Sequence, residues 1–149
     1  MFAIVLHTMV GTLAGTDSEF QNPESQVSAH FGVGLDGTVH QYVDWQTAAA
    51  WANGGPNPGW RWPFGAENPN LRTVSIETED LGNPDGQLVT DAQYTAVKQL
   101  CEMVQQHWPV THLVAHVVIN PQHSCPAARW LQSGKFGYLA GELGLQALQ

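Results

Sequence analysis

Apolar and polar positions alternate between two rhythms along this chain. Residues 2–6 (FAIVL) form a short continuous apolar run, the pattern of a buried strand. Residues 11–23 are polar and turn-rich, with one helical turn expected near Asp17–Gln21. Residues 27–35 read as a second strand, Asp36-Gly37 as a hairpin signal, and residues 38–43 as the returning third strand. Residues 53–70 carry four prolines, four glycines and two tryptophans, and a loop of that length inside a compact domain is usually functional. Residues 72–79 (RTVSIETE) make a fourth strand.

The helical rhythm is clearest over residues 90–107. Tyr94, Val97, Leu100, Cys101 and Val104 share one face, and Thr90 with Gln93 three residues on predicts a capping box. Trp108-Pro109 ends it, residues 110–116 give a fifth strand, residues 127–132 a short helix, and a glycine-interrupted helical tail closes the chain. A hairpin first and a helix between later strands predict one central sheet, α/β or α+β, within a single domain over residues 1–149.

Composition narrows the function. The net charge of −8 with only five Lys+Arg leaves no basic patch for a phosphate backbone, so nucleic acid is not an expected partner. No run approaches the ~20 apolar residues of a membrane span, and MFAIVLHTMV lacks the basic start and the length of a secretory signal. No membrane partner is expected, and the chain is expected to be a monomer. Cys101 falls on the apolar helix stripe, where a free cysteine packs as a small hydrophobe, and a disulfide to Cys125 is not expected.

The chemistry gathers at three places. His7 ends the first strand, His116 ends the fifth, and Cys125 follows in a Pro-bounded loop. Two imidazoles and a thiolate leave a fourth zinc position open, as in catalytic sites. Spacing alone leaves each histidine open to being a core residue, and His112, on the same strand face as His116, competes with it. Glu77 lies in an acidic stretch with Glu79 at the same strand parity; a solvent-facing edge carboxylate is the plainer reading. Trp51, Trp60 and Trp62 fit a groove wall for sugars and peptides, with core packing an equal alternative for Trp51. His30 either lines the cleft or is a buried structural histidine.

The order of IVLHT, VSAHFGVGLDGTVHQYVD, AAAWANG, TVSIETE, TDAQYTAVKQL and LVAHVVINPQHSCP resembles the zinc-dependent N-acetylmuramoyl-L-alanine amidases of the type-2 class. That family includes phage lysins, anhydromuropeptide amidases and peptidoglycan recognition proteins. The resemblance implies a peptidoglycan-recognition-protein-like fold: a mixed sheet of five or six strands flanked by helices. It implies that His7, His116 and Cys125 bind Zn2+, that Glu77 is the general base with Glu79 as runner-up, and that His123 stabilises the oxyanion where many members carry lysine. It further implies peptidoglycan or a muropeptide as partner, against which Trp51, Trp60, Trp62 and His30 are the candidate contacts. Two positions depart from the family pattern: Ala29 stands where some phage members have a catalytic tyrosine, and Ala52 where a histidine commonly follows the tryptophan. The expected activity is hydrolysis of the bond between N-acetylmuramic acid and L-alanine, as the catalytic domain of a phage endolysin that acts on the cell wall. A cytosolic recycling amidase and a non-catalytic peptidoglycan-binding module are the alternatives. The missing signal suits an enzyme made in the bacterial or host cytoplasm, and a catalytic domain taken from a longer lysin would also lack a wall-binding module.

Overall fold

The computed structural model describes residues 1–54, 65 and 67–149. Its sheet has six strands: β1 (Ala3–Thr8), β2 (Phe31–Val33), β3 (Val39–Gln41), β4 (Thr73–Thr78), β5 (His112–Ala115) and β6 (Gln146–Leu148). They lie in the order β3-β2-β4-β1-β5-β6. Only β2 and β3 run antiparallel; the pairs β2–β4, β4–β1, β1–β5 and β5–β6 are parallel. All six residues of β1 are buried, as a continuous apolar run at the centre of a parallel sheet should be. The helices are α1 (Leu13–Gln21), α2 (Asp91–His107), the one-turn α3 (His116–Ile119) and α4 (Ala128–Leu131), and α5 (Lys135–Leu143).

The two faces of the sheet do different work. Ile4, Leu6, Val74, Ile76 and Leu113 pack against Val97, Leu100, Cys101 and Val104 of α2 and against Trp130 and Phe136, forming the main core. The opposite face has a smaller cluster of Ala3, Val5, Val114 and Ile119. Cys101 is fully buried and free, and burial pushes its thiol up to about 12, so it acts as a packing residue.

Several expected boundaries moved, each because of a long-range contact. The second strand, expected over 27–35, pairs only over Phe31–Val33. Just before it the His30 ring intervenes: Ser75 N donates to His30 Nδ1 at 3.0 Å, so a side chain takes an amide the ladder would have used. Helix α1 is longer than the single turn expected near Asp17–Gln21. Thr12 caps it by accepting from Gly15 N (3.0 Å), and Glu79 Oε1 accepts from Leu13 N (3.0 Å). The capping box at α2 is half right. Thr90 accepts from Gln93 N at 3.0 Å, but the Gln93 amide turns inward to Val33 O and Glu79 O and accepts from buried Arg129. The helical tail stops at Gly144 (φ +66), and Gln146–Leu148 forms β6 instead, parallel to β5. The Asp36-Gly37 turn is where it was expected: Gly37 sits at φ +86, and a Cβ there would meet Ala92 O at 3.0 Å, so the hairpin docks on the start of α2.

Candidate metal centre and its groove

The parallel strands β1, β4 and β5 end on the same side of the sheet, and the connections reverse direction there: β1 leads to β2 on one flank and β4 leads to β5 on the other. Crevices at the carboxyl ends of strands around such a crossover are where open α/β sheets bind ligands. His7 and Glu77 are register partners on β1 and β4, so both project from the face opposite the α2 core. His116 is the first residue beyond β5 and opens α3, a correction to its expected place as the last strand residue. Cys125 enters from the following loop, tied down by Val117 N donating to Cys125 O at 2.8 Å.

These three residues meet. One donor atom from each of His7, His116 and Cys125 lies within 4.8 Å of the other two, and among the described residues this is the one such group of three. The His7 and His116 rings are 4.4 Å apart. His7 is 2% exposed, and the Nε2 atoms of both imidazoles are buried without a protein partner. Leaving such atoms unpaired is costly, and a metal ion removes that cost. Burial, then the charge of His116 and His123, holds the His7 pKa well below the usual histidine range; burial and His123 lower that of His116 to about 4. Both are therefore neutral, the form that binds metals. Burial raises the Cys125 thiol well above its usual value, and an incoming divalent ion would displace its proton. Two neutral imidazoles and one thiolate suit zinc with a fourth position open. His112 is no rival: it pairs with Ala3 at the opposite end of β5, and its Nδ1 lies 2.7 Å from Thr111 Oγ1.

Beside the trio, Glu77 Oε1 lies 3.8 Å from His7 Nδ1, while Oε2 is buried without a partner. Burial, then the charge of Asp80, raises the Glu77 carboxyl to about 8. Glu79 is otherwise engaged. Its Oε1 accepts from Leu13 N and its Oε2 from Leu35 N (2.9 Å), so it joins the start of α1 to the β2–β3 hairpin with both oxygens engaged. His123 is exposed and stacks on the His116 ring at 5.3 Å, which puts it at the rim of the centre.

A groove of about 430 Å³ runs away from Glu77 past Thr8, Val10, Thr12, Gly15 and Phe20. At Val27 it meets a recess of about 600 Å³ that Trp51 walls. Trp51 is 43% exposed, which fits a groove wall better than a core ring. Trp60 and Trp62 lie outside the described residues. His30 does not line the groove: it is fully buried, with Nδ1 engaged by Ser75 and Nε2 3.1 Å from Ala48 O. Asn53 and Asn70 are likewise buried and staple each other, Asn53 N to Asn70 Oδ1 at 2.9 Å and Asn70 Nδ2 to Gly54 O at 2.8 Å.

His30 carries a testable consequence for stability. Burial is the main cause that lowers its pKa. A base whose folded pKa is depressed binds its proton more readily unfolded, so its contribution is present above its unfolded value near 6.5 and is lost as pH falls through that value toward the folded one. Urea unfolding of wild type should show stability dropping from pH 7.5 to 5.5, with a shallower drop in His30→Gln. Equal slopes in the two proteins would exclude this role.

Sequence reasoning missed the polar parts behind the site. Thr78 Oγ1 donates to His7 O (2.7 Å) and accepts from Trp130 Nε1 (3.1 Å), and buried Arg129 donates to Glu79 O. A tryptophan and an arginine in a short apolar segment, AARWL, were the available signals, but they do not name their partners.

Comparison with known proteins agrees with this architecture. The family profile for N-acetylmuramoyl-L-alanine amidase matches residues 2–128. N-acetylmuramoyl-L-alanine amidase A of Achromobacter lyticus is 35% identical over 104 residues, 66% of this chain and 50% of that protein. The chain thus spans about half the length of this curated relative. Among solved structures, the E. coli N-acetylmuramyl-L-alanine amidase AmiD, in complex with anhydro-N-acetylmuramic acid-L-Ala-D-γ-Glu-L-Lys, superposes with a TM-score of 0.78 at 23% identity, over 99% of this chain and 58% of its own. The amidase LysC of Clostridium intestinale URNW gives 0.70 at 22% identity, over 97% of this chain and 85% of its own. The ectodomain of the Drosophila receptor PGRP-LCa gives 0.56 at 11% identity, over 89% and 80%. The mixed six-stranded sheet flanked by helices is therefore the peptidoglycan-recognition-protein-like fold.

Proposed function

This chain belongs to the N-acetylmuramoyl-L-alanine amidase family, and we propose that it hydrolyses the amide between N-acetylmuramic acid and L-alanine in peptidoglycan. The observation that carries this reading is the convergence of His7, His116 and Cys125 beside Glu77 at the head of an open groove. His7, His116 and Cys125 would hold Zn2+, which would supply a Lewis acid to polarise a carbonyl and acidify water.

The chain's own groups do the rest. Glu77 Oε1 faces the centre and takes the proton of the attacking water, then returns it to the leaving L-alanine nitrogen. A cation held next to Glu77 favours its ionised form, offsetting the burial that otherwise raises it. His123, stacked at the rim, donates to the oxyanion that develops on the scissile oxygen. Trp51 and the groove past Phe20 hold glycan and stem peptide. Digestion of purified peptidoglycan should expose N-terminal alanine in proportion to bound zinc; zinc-loaded protein that exposes none leaves a binding module instead.

We place the chain as a phage endolysin catalytic domain acting as a monomer on intact wall. One observation favours a recycling amidase: the strongly acidic charge gives no help against an anionic cell surface. Solved structures of the same fold are also described in complex with anhydromuramyl peptides. Rates on intact sacculi and on soluble 1,6-anhydro-muropeptides separate the two, and a lysin prefers sacculi.

A lysine keeps its charge to higher pH than an imidazole does. His123→Lys should therefore extend activity on the alkaline side of the pH–rate profile. An unchanged alkaline limb would remove His123 from oxyanion stabilisation.

A further inference from the structure

The chain makes a tight polar knot directly behind Cys125. Asp80 is fully buried, and its carboxylate collects four donors. Oδ2 accepts from the Thr8 hydroxyl and from Val10 N (3.0 Å); Oδ1 accepts from Gly11 N (2.8 Å) and Gly82 N (2.9 Å). Backbone bonds from Asp80 N and Leu81 N to Gly11 O close the knot from the other side. Two bulky residues in it, Val10 (φ +52) and Leu81 (φ +57), stand in the left-handed region. Residues other than glycine persist there only where the surroundings over-determine them, and such strain gathers at functional sites.

This knot has one outlet toward the candidate metal centre. Thr8 gives its hydroxyl to Asp80 and its backbone N–H to Cys125 Sγ at 3.2 Å. The N–H is the one polar protein contact to that sulfur among the described residues. A donor aimed at a thiolate favours the ionised, metal-binding form. The same knot sets the path of Val10–Thr12, which line the groove.

We propose that Asp80 is a positioning residue for the metal centre: it anchors Thr8 so that the Thr8 N–H is held on the Cys125 sulfur. The proposal rests on reading His7, His116 and Cys125 as zinc ligands. It does not rest on the nature of the bond that the enzyme cuts.

The test uses the full chain as wild type, Asp80→Asn and Thr8→Val. Zinc affinity is read by competition with a chromophoric chelator, and the sulfur environment by the thiolate-to-metal absorption band of the cobalt-substituted proteins. Removing a partner behind a metal ligand typically costs on the order of 10- to 100-fold in affinity, and that loss is expected for Asp80→Asn. Its cobalt band should move to longer wavelength, because a sulfur without its N–H donor gives up charge more easily. Thr8→Val should move both readouts the same way by less. A general loosening of the fold would lower thermal stability without moving the band. A folded Asp80→Asn protein with wild-type zinc affinity and an unshifted band overturns the proposal. If Asp80→Asn does not fold, Thr8→Val decides alone, and no change in either readout overturns it. Wild type that binds no zinc overturns it too, whereas zinc-loaded wild type that exposes no alanine defeats only the amidase reading.

Discussion

Cys125→Ala is expected to empty the metal centre and to reduce alanine release by on the order of 10³-fold or more. A Lewis acid is worth several kcal/mol of transition-state stabilisation, and about 1.4 kcal/mol is tenfold in rate. The two remaining imidazoles keep their geometry, because His7 is fixed in β1 and His116 at the start of α3. They no longer make a three-donor set. Elemental analysis of the purified variant should find zinc well below one per chain, and peptidoglycan digestion should fall to background. Cys125→Asp is the informative companion, since a carboxylate restores an anionic donor; it should recover zinc and part of the rate. Full activity in Cys125→Ala would mean that the trio is not the catalytic centre.

Glu77→Gln should separate binding from chemistry. A positioned general base contributes about 10²- to 10⁴-fold, so kcat should drop by that amount with zinc content unchanged. Glu79→Gln makes the contrast. Both Glu79 oxygens accept backbone amides, from Leu13 and from Leu35, and an amide side chain leaves one of those donors facing an NH2 group. That variant should lose stability and zinc-independent fold quality before it loses intrinsic rate. Thermal melts beside kcat would show the two patterns, and a Glu77→Gln enzyme with more than about a tenth of wild-type kcat would place the base elsewhere.

The choice between those two glutamates shows where sequence reasoning runs out. Glu77 and Glu79 have the same strand parity and the same acidic neighbours. What separates them is which backbone amides arrive from residues 13 and 35, and no local pattern encodes that. His30 was undecided for a related reason: its ring stands in for a ladder bond to Ser75, and that long-range contact selects the structural reading over the cleft-lining one. The meeting of His7 and His116 was readable because each sits at or beside the carboxyl end of a strand, and such ends in a parallel sheet converge; Cys125 comes from the loop after His116. Strand β6 was not readable, because three residues after a helix-ending glycine show no periodicity to detect.

The division of labour between the two sheet faces has a consequence for how this protein can change. In β1 and β4 the even-numbered residues Ile4, Leu6, Val74 and Ile76 belong to the main core, while the odd-numbered Ala3 and Val5 belong to the smaller one and only His7 and Glu77, near the carboxyl ends of their strands, reach the candidate site. Substitutions at His7 and Glu77 should therefore yield folded proteins with altered activity, and polar substitutions at Ile4, Leu6, Val74 or Ile76 should yield melted ones. Deleting a single residue early in either strand exchanges the two sets at once, turning the Glu77 carboxylate or the His7 imidazole into the helix layer. Point substitution is thus the open route for tuning this site, and length changes are accommodated only in the connections outside these two strands.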